Sequence, residues 1–315
     1  MSVLICGSIA FDNIMVFPGR FKEHILPEQI HILNVAFLVP EMRREFGGCA
    51  GNIAYNLKML AAQPGDEPII MATVGEDSAS YLERLKRLEL DAAHVTLIPG
   101  SFTAQAFITT DLDDNQITAF HPGAMDSSHV NHVGDARDVK LGIVAPDGRA
   151  GMFQHAREFA AAGIPFVFDP GQGLPMFNGA ELLEFIEMAE YAAFNDYEAK
   201  LVQEKTGESI ETLASRVKGL VVTRGAEGSF IYAGGQRHDI PSVKAESIVD
   251  PTGCGDAYRA GLLYGIANGL DWQQTGRLAS IMGSMKIARR GAQNHRMTRD
   301  EIGATYRQHF GAALW

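Results

Sequence analysis

The sequence predicts an α/β fold, in which helices cover both faces of a mostly parallel β-sheet. Short apolar or β-branched runs alternate along the chain with amphipathic helical stretches, and this alternation is typical of parallel sheets. Glycine and proline fall at the ends of the predicted elements, where turns are expected. The 315 residues are enough for one large α/β domain or for two small ones.

The predicted elements follow one another in a regular order. The first strand covers residues 3–9, and helices with one apolar face each are predicted at 50–63 and 78–90. Further strands are predicted at 68–75, 140–146, 165–171, 191–195 and 220–225. Parallel sheets bind ligands at the carboxyl ends of their strands, so we expect the functional site at that edge.

Two segments interrupt the alternation and predict a small β-structure beside the main sheet. Residues 31–39 have no helix pattern and alternate weakly. Residues 102–122 are predicted to form two strands, joined by the polar turn Asp113-Asp114-Asn115. This β-structure is either a lid over a cleft or an ordinary extension of the sheet edge.

The composition limits which partners the protein can bind and in which cellular compartment it is expected. The net charge of −11 argues against a nucleic-acid or anionic-membrane surface, because both need a basic stripe. Three widely spaced cysteines without a CxxC pair indicate a reducing compartment. No basic segment precedes the first apolar run, and no run approaches the ~18 apolar residues of a membrane span. We therefore expect a cytoplasmic protein that binds neither nucleic acid nor membrane.

The stretch DPTGCGD, residues 250–256, lies between a β-like run and a helix-like run. Gly253, Cys254 and Gly255 would present free N–H groups at the start of that helix, which is a natural site for an anion. Asp256 at this site is either a general base or an ordinary N-cap. A base there would take the proton of a hydroxyl that attacks a phosphoryl group.

Two further stretches offer groups for a polar ligand. The glycine-rich turn in 45–57 contains Gly47 and Gly48, which permit close approach to the backbone, and Asn52, which can both donate and accept hydrogen bonds. Asp12 follows the first strand, where a carboxylate can accept hydrogen bonds from ligand hydroxyls. The alternatives are a tight turn with a helix cap and a solvated loop acid.

Two stretches have the composition of a phosphate or nucleotide site. Asn195 and Glu198 lie three residues apart at the start of a predicted helix. This spacing suits magnesium or phosphate binding, and it equally resembles a capping box. Thr223, Gly225 and Gly228 follow a predicted strand, where they either line a nucleotide or form a hairpin turn.

The sequence resembles the ribokinase (PfkB) family of carbohydrate and nucleoside kinases over nearly the whole chain. Five motifs occur in the family's order: GSIAFD, GGCAGN, NDYE, TRGAEGS and DPTGCGD. P-loop, protein-kinase and dinucleotide-binding motifs are missing from the sequence. The resemblance implies a Rossmann-like, three-layer α/β/α core with a small β-sheet lid. It further implies a single domain of residues 1–315, with the lid formed by residues 13–45 and 100–124.

The resemblance also implies a reaction, namely transfer of the γ-phosphoryl group of ATP to a hydroxymethyl oxygen. Asp256 corresponds to the family's catalytic base, and the three residues before it correspond to the anion hole: Gly253, Cys254 and Gly255. Substrate hydroxyls would contact Asp12, Gly47, Gly48 and Asn52. The magnesium and phosphate motif corresponds to Asn195 and Glu198, and the ATP contacts to Thr223, Gly225 and Gly228. Asn294 falls in a region that borders the adenine and a monovalent-cation site.

Cys254 departs from the alanine that is usual in the family's D-T-x-G-A-G-D motif. Backbone N–H groups form the anion hole, so a cysteine side chain should be tolerated there. Because the thiol would lie near a helix N-terminus, we expect a lowered pKa and sensitivity to oxidation.

The substrate is predicted from the lid and from two motifs. Phe107 is one of several lid phenylalanines that can form an apolar wall for a nucleoside base, with strand packing as the alternative. GGCAGNIAYN and DPTGCGDAYRAG resemble family members that act on adenosine and related nucleosides. We therefore expect an adenosine kinase that uses ATP and Mg²⁺. The alternatives are a fructose or ribose kinase and a non-catalytic nucleoside- or sugar-binding protein. A homodimer through the lid is plausible, and dependence on K⁺ stays open.

Overall fold

The computed structural model describes residues 2–25, 34–63, 66–113 and 115–315. In chain order, the strands are β1 (Val3–Cys6), β2 (Ala10–Val16), β3 (Glu41–Gly47), β4 (Ile69–Val74), β5 (His94–Leu97), β6 (Ala104–Thr110), β7 (Gln116–His121), β8 (Leu141–Val144), β9 (Phe166–Phe168), β10 (Tyr191–Asn195), β11 (Gly219–Thr223), β12 (Ser229–Ala233) and β13 (Gln236–Ile240). The α-helices are α1 (Cys49–Leu60), α2 (Ala79–Arg87), α3 (Arg149–Ala162), α4 (Gly179–Met188), α5 (Asp196–Thr206), α6 (Ile210–Ala214), α7 (Cys254–Ala267), α8 (Trp272–Ile287) and α9 (Arg299–Phe310).

The large sheet has the strand order β13-β12-β11-β10-β9-β8-β1-β4-β5. Its strands are parallel from β5 to β11, and β12 and β13 add an antiparallel edge. Successive residues of β1 enter two different hydrophobic clusters, since side chains alternate between the faces of a strand. One cluster includes α1, α2, α7, α8 and α9, and the other includes α3 to α6. The predicted three-layer α/β/α core is thus confirmed.

The predicted strands and helices are present, with small shifts of their ends. The first strand ends at Cys6 rather than at residue 9, because the chain leaves the large sheet there and begins β2 of the second sheet. Two short strands of the large sheet, β5 and β13, were not predicted. Both are edge strands in the described sheet, and exposed edge strands have little of the continuous apolar character of central strands.

The second sheet has four strands in the described residues, in the order β3-β2-β6-β7. The predicted hairpin is confirmed as β6 and β7, although Asp114 of its turn lies outside the described residues. The strand predicted at 31–39 is wrong for residues 34–39, and residues 31–33 lie outside the described chain. Phe37 instead packs on Phe17 and Phe21, with ring centroids 4.8 and 5.0 Å apart. The strand of this region is β3, which pairs with β2 over their whole length.

The second sheet is joined to the carboxyl edge of the large sheet by short connections. The loop of residues 7–9 links β1 to β2, and Gly48 alone separates β3 from α1. No helix in the described part of the chain is both long and apolar enough to cross a bilayer. The assignment of one domain with a lid at residues 13–45 and 100–124 stays a prediction.

Candidate active site

The structure brings most of the predicted site residues to the carboxyl edge of the large sheet. Asn195 and Thr223 are the last residues of β10 and β11 and lie side by side in the ladder. Asp12 lies on β2, two residues into the second sheet. Asp256 is the third residue of α7. The edge therefore carries polar side chains from four separate stretches of the sequence.

Gly48 shows why the glycine-rich turn is needed before α1. It is the N-cap of the helix, with φ 86°, and an added Cβ would lie 2.5 Å from the carbonyl oxygen of Ser8. A Cβ on Gly47 would lie 2.5 Å from Oδ2 of Asp12. Gly48 thus serves the tight turn that the sequence left as an alternative, while Gly47 leaves room for the Asp12 carboxylate.

Asp256 is held by α1 rather than by the backbone of its own helix. Its Oδ2 accepts a hydrogen bond of 2.8 Å from Nδ2 of Asn52. The N-cap alternative for Asp256 is wrong, because Gly253 occupies the N-cap position of α7. Burial raises the pKa of the Asp256 carboxyl to about 7, and the charges of Asp169 and Asp12 act in the same direction. A carboxylate with such a pKa is suited to accept a proton near neutral pH.

A chain of buried side chains fixes the orientation of the Asn52 amide. Nε2 of Gln293 donates to Oδ1 of Asn52 (3.0 Å) and to the Tyr81 hydroxyl (2.8 Å). The Tyr81 hydroxyl in turn donates to the carbonyl oxygen of Gly47 (2.7 Å). Because its Oδ1 accepts from Gln293, Asn52 turns its Nδ2 toward Asp256. Asn52 was predicted to contact substrate hydroxyls, and in this structure it orients the Asp256 carboxylate.

The start of α7 offers one open approach to its backbone. The first N–H groups of a helix have no acceptor within the helix. Cys254 donates its N–H to the carbonyl oxygen of Pro251 at 3.1 Å, so this amide is already engaged. An added Cβ on Gly253 would lie 2.7 Å from Ala292, whereas one on Gly255 would meet nothing within 4 Å. Gly255 therefore marks the place where an anion can come close.

The pKa of the Cys254 thiol differs from the one predicted from the sequence. Its pKa is raised to about 11, because burial outweighs the favourable charge of Lys286. The predicted lowering of this pKa at the helix N-terminus is therefore wrong. A thiol that stays protonated is a weak nucleophile, so the structure does not favour the predicted sensitivity to oxidation.

Asp12 lies on the face of the second sheet that is turned toward α7. Burial raises the pKa of its carboxyl to about 6, helped by the charges of Glu45, its cross-strand neighbour, and Asp250. Asn294, predicted near the adenine, donates from Nδ2 to Oε2 of Glu45 at 2.8 Å. The structure thus places Asn294 beside the second sheet, and its contact with a nucleotide stays a prediction.

The strand register places two phenylalanines of the second sheet, Phe107 and Phe120, on opposite faces. Phe107 pairs with Asn13, the neighbour of Asp12, so it lies on the opposite face of the sheet from Asp12. Phe120 pairs with Ala106, which pairs with Asp12, so Phe120 lies on the same face as Asp12. The structure does not bring Phe107 to the predicted substrate residues.

The predicted nucleotide residues form local caps and turns. Asn195 and Glu198 make a complete capping box, in which Glu198 accepts hydrogen bonds from both the main-chain N–H and Nδ2 of Asn195 (2.8 Å each). Thr223, Gly225 and Gly228 belong to the β11–β12 turn, where Gly228 has φ 87°. The capping box and the hairpin turn, which the sequence left as alternatives, are thus both present. The roles of these five residues in binding ATP stay predictions.

Magnesium was predicted at Glu198, and the donor chemistry fits that ion. Burial and the charge of Asp169 raise the pKa of the Glu198 carboxyl, as expected where two acids approach each other. No group of three or more His, Cys, Asp or Glu side chains in the described part of the chain is arranged to hold a metal ion. Mg²⁺ is usually bound by one or two carboxylates together with substrate phosphates. Glu198 fits an ion that arrives with ATP.

A buried ion pair behind Asp256 was missed by the sequence analysis. Arg259, one turn after Asp256 on α7, donates to both carboxylate oxygens of Asp169 at 3.0 and 3.1 Å. Both side chains are only 6% exposed. Arg259 also lowers the pKa values of Asp256 and Glu198 through its charge. The signal was present as a single arginine in the otherwise apolar stretch after DPTGCGD.

An open helix start beside a carboxylate is suited to an enzyme that transfers a phosphoryl group to a hydroxyl. Residues 11–299 match the model of the pfkB family of carbohydrate kinases. The chain belongs to this family, which confirms the resemblance seen in the sequence.

Solved structures of relatives confirm the ribokinase-like fold. The nucleoside kinase of Burkholderia thailandensis in complex with inosine has a TM-score of 0.89 at 57% identity, with 99% of each chain covered. Its complex with ADP-inosine has a TM-score of 0.87 at 58% identity, covering 99% of this chain and 97% of that one. The nucleoside kinase of Methanocaldococcus jannaschii is 31% identical over 280 residues, which are 88% of this chain and 90% of the relative.

The buried Asp169–Arg259 pair allows a test by urea denaturation. Arg259→Met leaves the Asp169 carboxylate buried without its partner, so we expect the free energy of unfolding to fall by about 3–5 kcal/mol. Asp169→Leu combined with Arg259→Met removes both charges and should recover most of that loss. Equal losses in the single and double variants would show that the pair does not act as a unit.

A surface pair provides the matched control for this measurement. Arg157 bonds Glu184 at 2.7 Å, with side chains that are 61% and 44% exposed. Because solvent screens such a pair, Arg157→Met should change the free energy of unfolding by less than about 1 kcal/mol.

Proposed function

We propose that this chain is an ATP-dependent nucleoside kinase that phosphorylates the 5′-hydroxyl of its substrate. The observation that carries this proposal is the half-buried Asp256 carboxylate, which lies at the open start of α7 and has a pKa of about 7. A carboxylate that only bound a sugar could lie anywhere on the wall of the site, whereas a general base must lie beside the place where the phosphoryl group binds. This argues against the non-catalytic alternative.

The relatives support nucleosides as the substrate class. The Burkholderia thailandensis relative is a nucleoside kinase with inosine bound, and the Methanocaldococcus jannaschii relative is also a nucleoside kinase. We therefore propose purine nucleosides in general, with adenosine as one member of the class. Inosine in the relative favours this wider range over strict adenosine specificity, and it ranks free fructose and ribose lower.

In the proposed mechanism, the ribose lies between the second sheet and the start of α7. The Asp12 carboxylate accepts hydrogen bonds from ribose hydroxyls, and Gly47 leaves the space for it. Asn52 holds Asp256 so that the free carboxylate oxygen faces the 5′-hydroxyl. Asp256 accepts the hydroxyl proton as the oxygen attacks the γ-phosphorus of ATP in line. The N–H groups at the start of α7, reached beside Gly255, stabilise the charge that develops on the transferred group.

ATP is proposed to bind along the ends of β10 and β11. Thr223, Gly225 and Gly228 offer backbone and hydroxyl groups there, and Asn294 would approach the adenine. Glu198, oriented by Asn195, would hold magnesium, which supplies charge neutralisation on the phosphates when it is bound. The positive charge of Arg259 offsets part of the negative charge of this acidic cluster, and it favours the ionised forms of Asp256 and Glu198.

The second sheet is proposed to act as the lid and as a dimer surface. On the Asp12 face, Phe120 is 48% exposed and can form a wall for the base. On the other face, Met42, Phe107 and Ile117 are 69%, 42% and 44% exposed, and the register places them on one side of the sheet. We propose that a second copy covers this apolar face. The proposed reaction is consistent with the predicted cytoplasmic location.

The substrate proposal is tested by measuring ADP release from the purified chain with ATP and Mg²⁺. Inosine, adenosine, guanosine, cytidine, ribose and fructose are compared as acceptors. We expect turnover with purine nucleosides and little with free sugars, because only nucleosides use the apolar wall of the lid. A preference for ribose or fructose would contradict the nucleoside assignment while leaving the kinase class in place.

Asp256→Asn tests the proposed base. We expect kcat to fall by about 10²–10⁴-fold, while nucleoside affinity stays within about tenfold, because the amide oxygen can still accept from Asn52. Isothermal titration with the nucleoside provides the affinity. Asp239→Asn, at an exposed position on β13, is the matched control and should keep its turnover. Retained turnover in Asp256→Asn would remove Asp256 from the role of base.

The same residue predicts a pH dependence. Asp256 must be ionised to accept a proton, and its pKa is raised to about 7. We therefore expect kcat/KM to fall as the pH decreases below about 7, and this acid limb should be absent from the residual activity of Asp256→Asn. An acid limb at the ordinary aspartate pKa would contradict the assignment.

Gly255→Ala tests the anion site. The added Cβ meets nothing within 4 Å, and alanine favours a helix by ~1 kcal/mol over glycine, so the melting temperature should be unchanged or higher. Turnover should nevertheless fall by about tenfold or more, because the methyl group occupies the approach to the helix start. Gly134→Ala, which is equally unhindered, is the control. Full activity in Gly255→Ala would mean that no phosphate uses this space.

A further inference from the structure

Lys286 is a fully buried lysine whose ammonium group is held by main-chain carbonyl oxygens. It lies in the last turn of α8, and its side chain has no exposed surface. The ammonium group donates to the carbonyl oxygens of Asp250 (2.7 Å) and Arg289 (3.3 Å). Within the described residues no carboxylate forms an ion pair with it. Main-chain carbonyl oxygens therefore accept its hydrogen bonds, and the charge of the Asp250 carboxylate stabilises the ammonium without a direct ion pair.

This environment is unusual for a lysine and typical of a bound monovalent cation. A buried ammonium that lacks a direct ion pair is costly, and the burial lowers the pKa of Lys286. Carbonyl oxygens that replace a hydration shell are the usual ligands of K⁺ in proteins. A cost of this kind is retained where the charge has a specific role.

The carbonyl contacts join two loops that both reach the site. The Asp250 side chain accepts from the N–H groups of Thr252 and Gly291 at 2.9 Å each. The N–H groups of Val249 and Asp250 donate to the carbonyl oxygen of Ile287. Residues 249–254 lead directly into the start of α7, and residues 287–291 lead to Gln293. Lys286 lies between these loops and holds them together.

We propose that the Lys286 ammonium is a built-in cation that replaces a free monovalent ion beside the anion-binding start of α7. Turnover then needs no K⁺, which answers the question that the sequence left open. Lys286 acts here as a positioning residue, because it touches the loop that shapes the site and not the reacting atoms. The activity readouts rest on the proposed kinase function, whereas the thermal readout below does not.

The wild-type chain gives the first test. The purified protein is dialysed free of monovalent metal ions, and turnover is compared in potassium, sodium and choline chloride at equal ionic strength. We expect the three rates to agree within about twofold. A rise of tenfold or more in potassium over choline would overturn the proposal, because a free ion would then be needed.

Two variants at this position separate charge from volume. Lys286→Ala removes the ammonium and leaves space, so we expect turnover to fall by about 10–100-fold and to recover in ammonium or potassium chloride. Lys286→Met removes the charge but fills the space, so it should lose activity without recovery. Lys200→Met, whose side chain is 76% exposed, is the control and should be unaffected. Full activity of Lys286→Ala in choline, or no recovery in any monovalent cation, would overturn the proposal.

A thermal readout distinguishes failure of this proposal from failure of the proposed function. Ammonium or potassium should raise the melting temperature of Lys286→Ala above its value in choline, and should not do so for Lys286→Met. This outcome supports the built-in cation even if no acceptor is phosphorylated. Equal melting temperatures in all salts would overturn it. If Lys286→Ala does not fold, the wild-type cation series decides alone.

Discussion

The hydrogen bond between Asn52 and Asp256 is the contact around which the candidate site is arranged. The two residues are 204 positions apart in the chain, and they belong to the first turns of two helices, α1 and α7. Each helix begins at a glycine with positive φ, Gly48 and Gly253. The glycines set the direction in which each helix leaves its loop, and the hydrogen bond links the two helix starts. The position of the proposed base therefore depends on both turns.

The pKa values in the site depend on several acidic side chains that lie close to one buried arginine. The charges of Asp169 and Asp12 act on Asp256, and the charge of Asp169 acts on Glu198. Among the described residues, Arg259 is the deeply buried counter-charge of this cluster. Burial and mutual repulsion raise the pKa values of Asp12 and Asp256. An acidic cluster is a poor site for phosphates by itself. It becomes suitable when positive charge arrives with the nucleotide, as in the metal-bound phosphate donor proposed above.

Much of the fold was predictable from the sequence, because central parallel strands are marked by short apolar runs. The β-structure predicted at 31–39 is absent from the described residues 34–39, because weak alternation alone does not specify strand pairing. Phe37 packs in an aromatic cluster, and the polar stretch Glu41–Gly47 forms β3. The motif residues Asp12, Asn52 and Asp256 were found from local composition. Gln293, Asp169 and Arg259 were missed, because their importance depends on contacts between distant parts of the chain.

Lys286 and the three missed residues share one physical feature. It explains why sequence patterns did not reveal them and why they matter for the geometry of the site. Asp169, Arg259, Lys286 and Gln293 are buried polar residues that are almost fully shielded from solvent, and each is costly unless its partners are in place. Single-sequence patterns record which residues are polar, but not which polar residues find partners. A polar group that is satisfied only by a distant segment holds that segment in one geometry. Two such contacts fix the loops at the ends of α7 and α8. Lys286 donates to the carbonyl oxygens of Asp250 and Arg289, and Gln293 donates to Asn52. The precision of the site thus comes from the polar contacts that the hydrophobic pattern cannot specify.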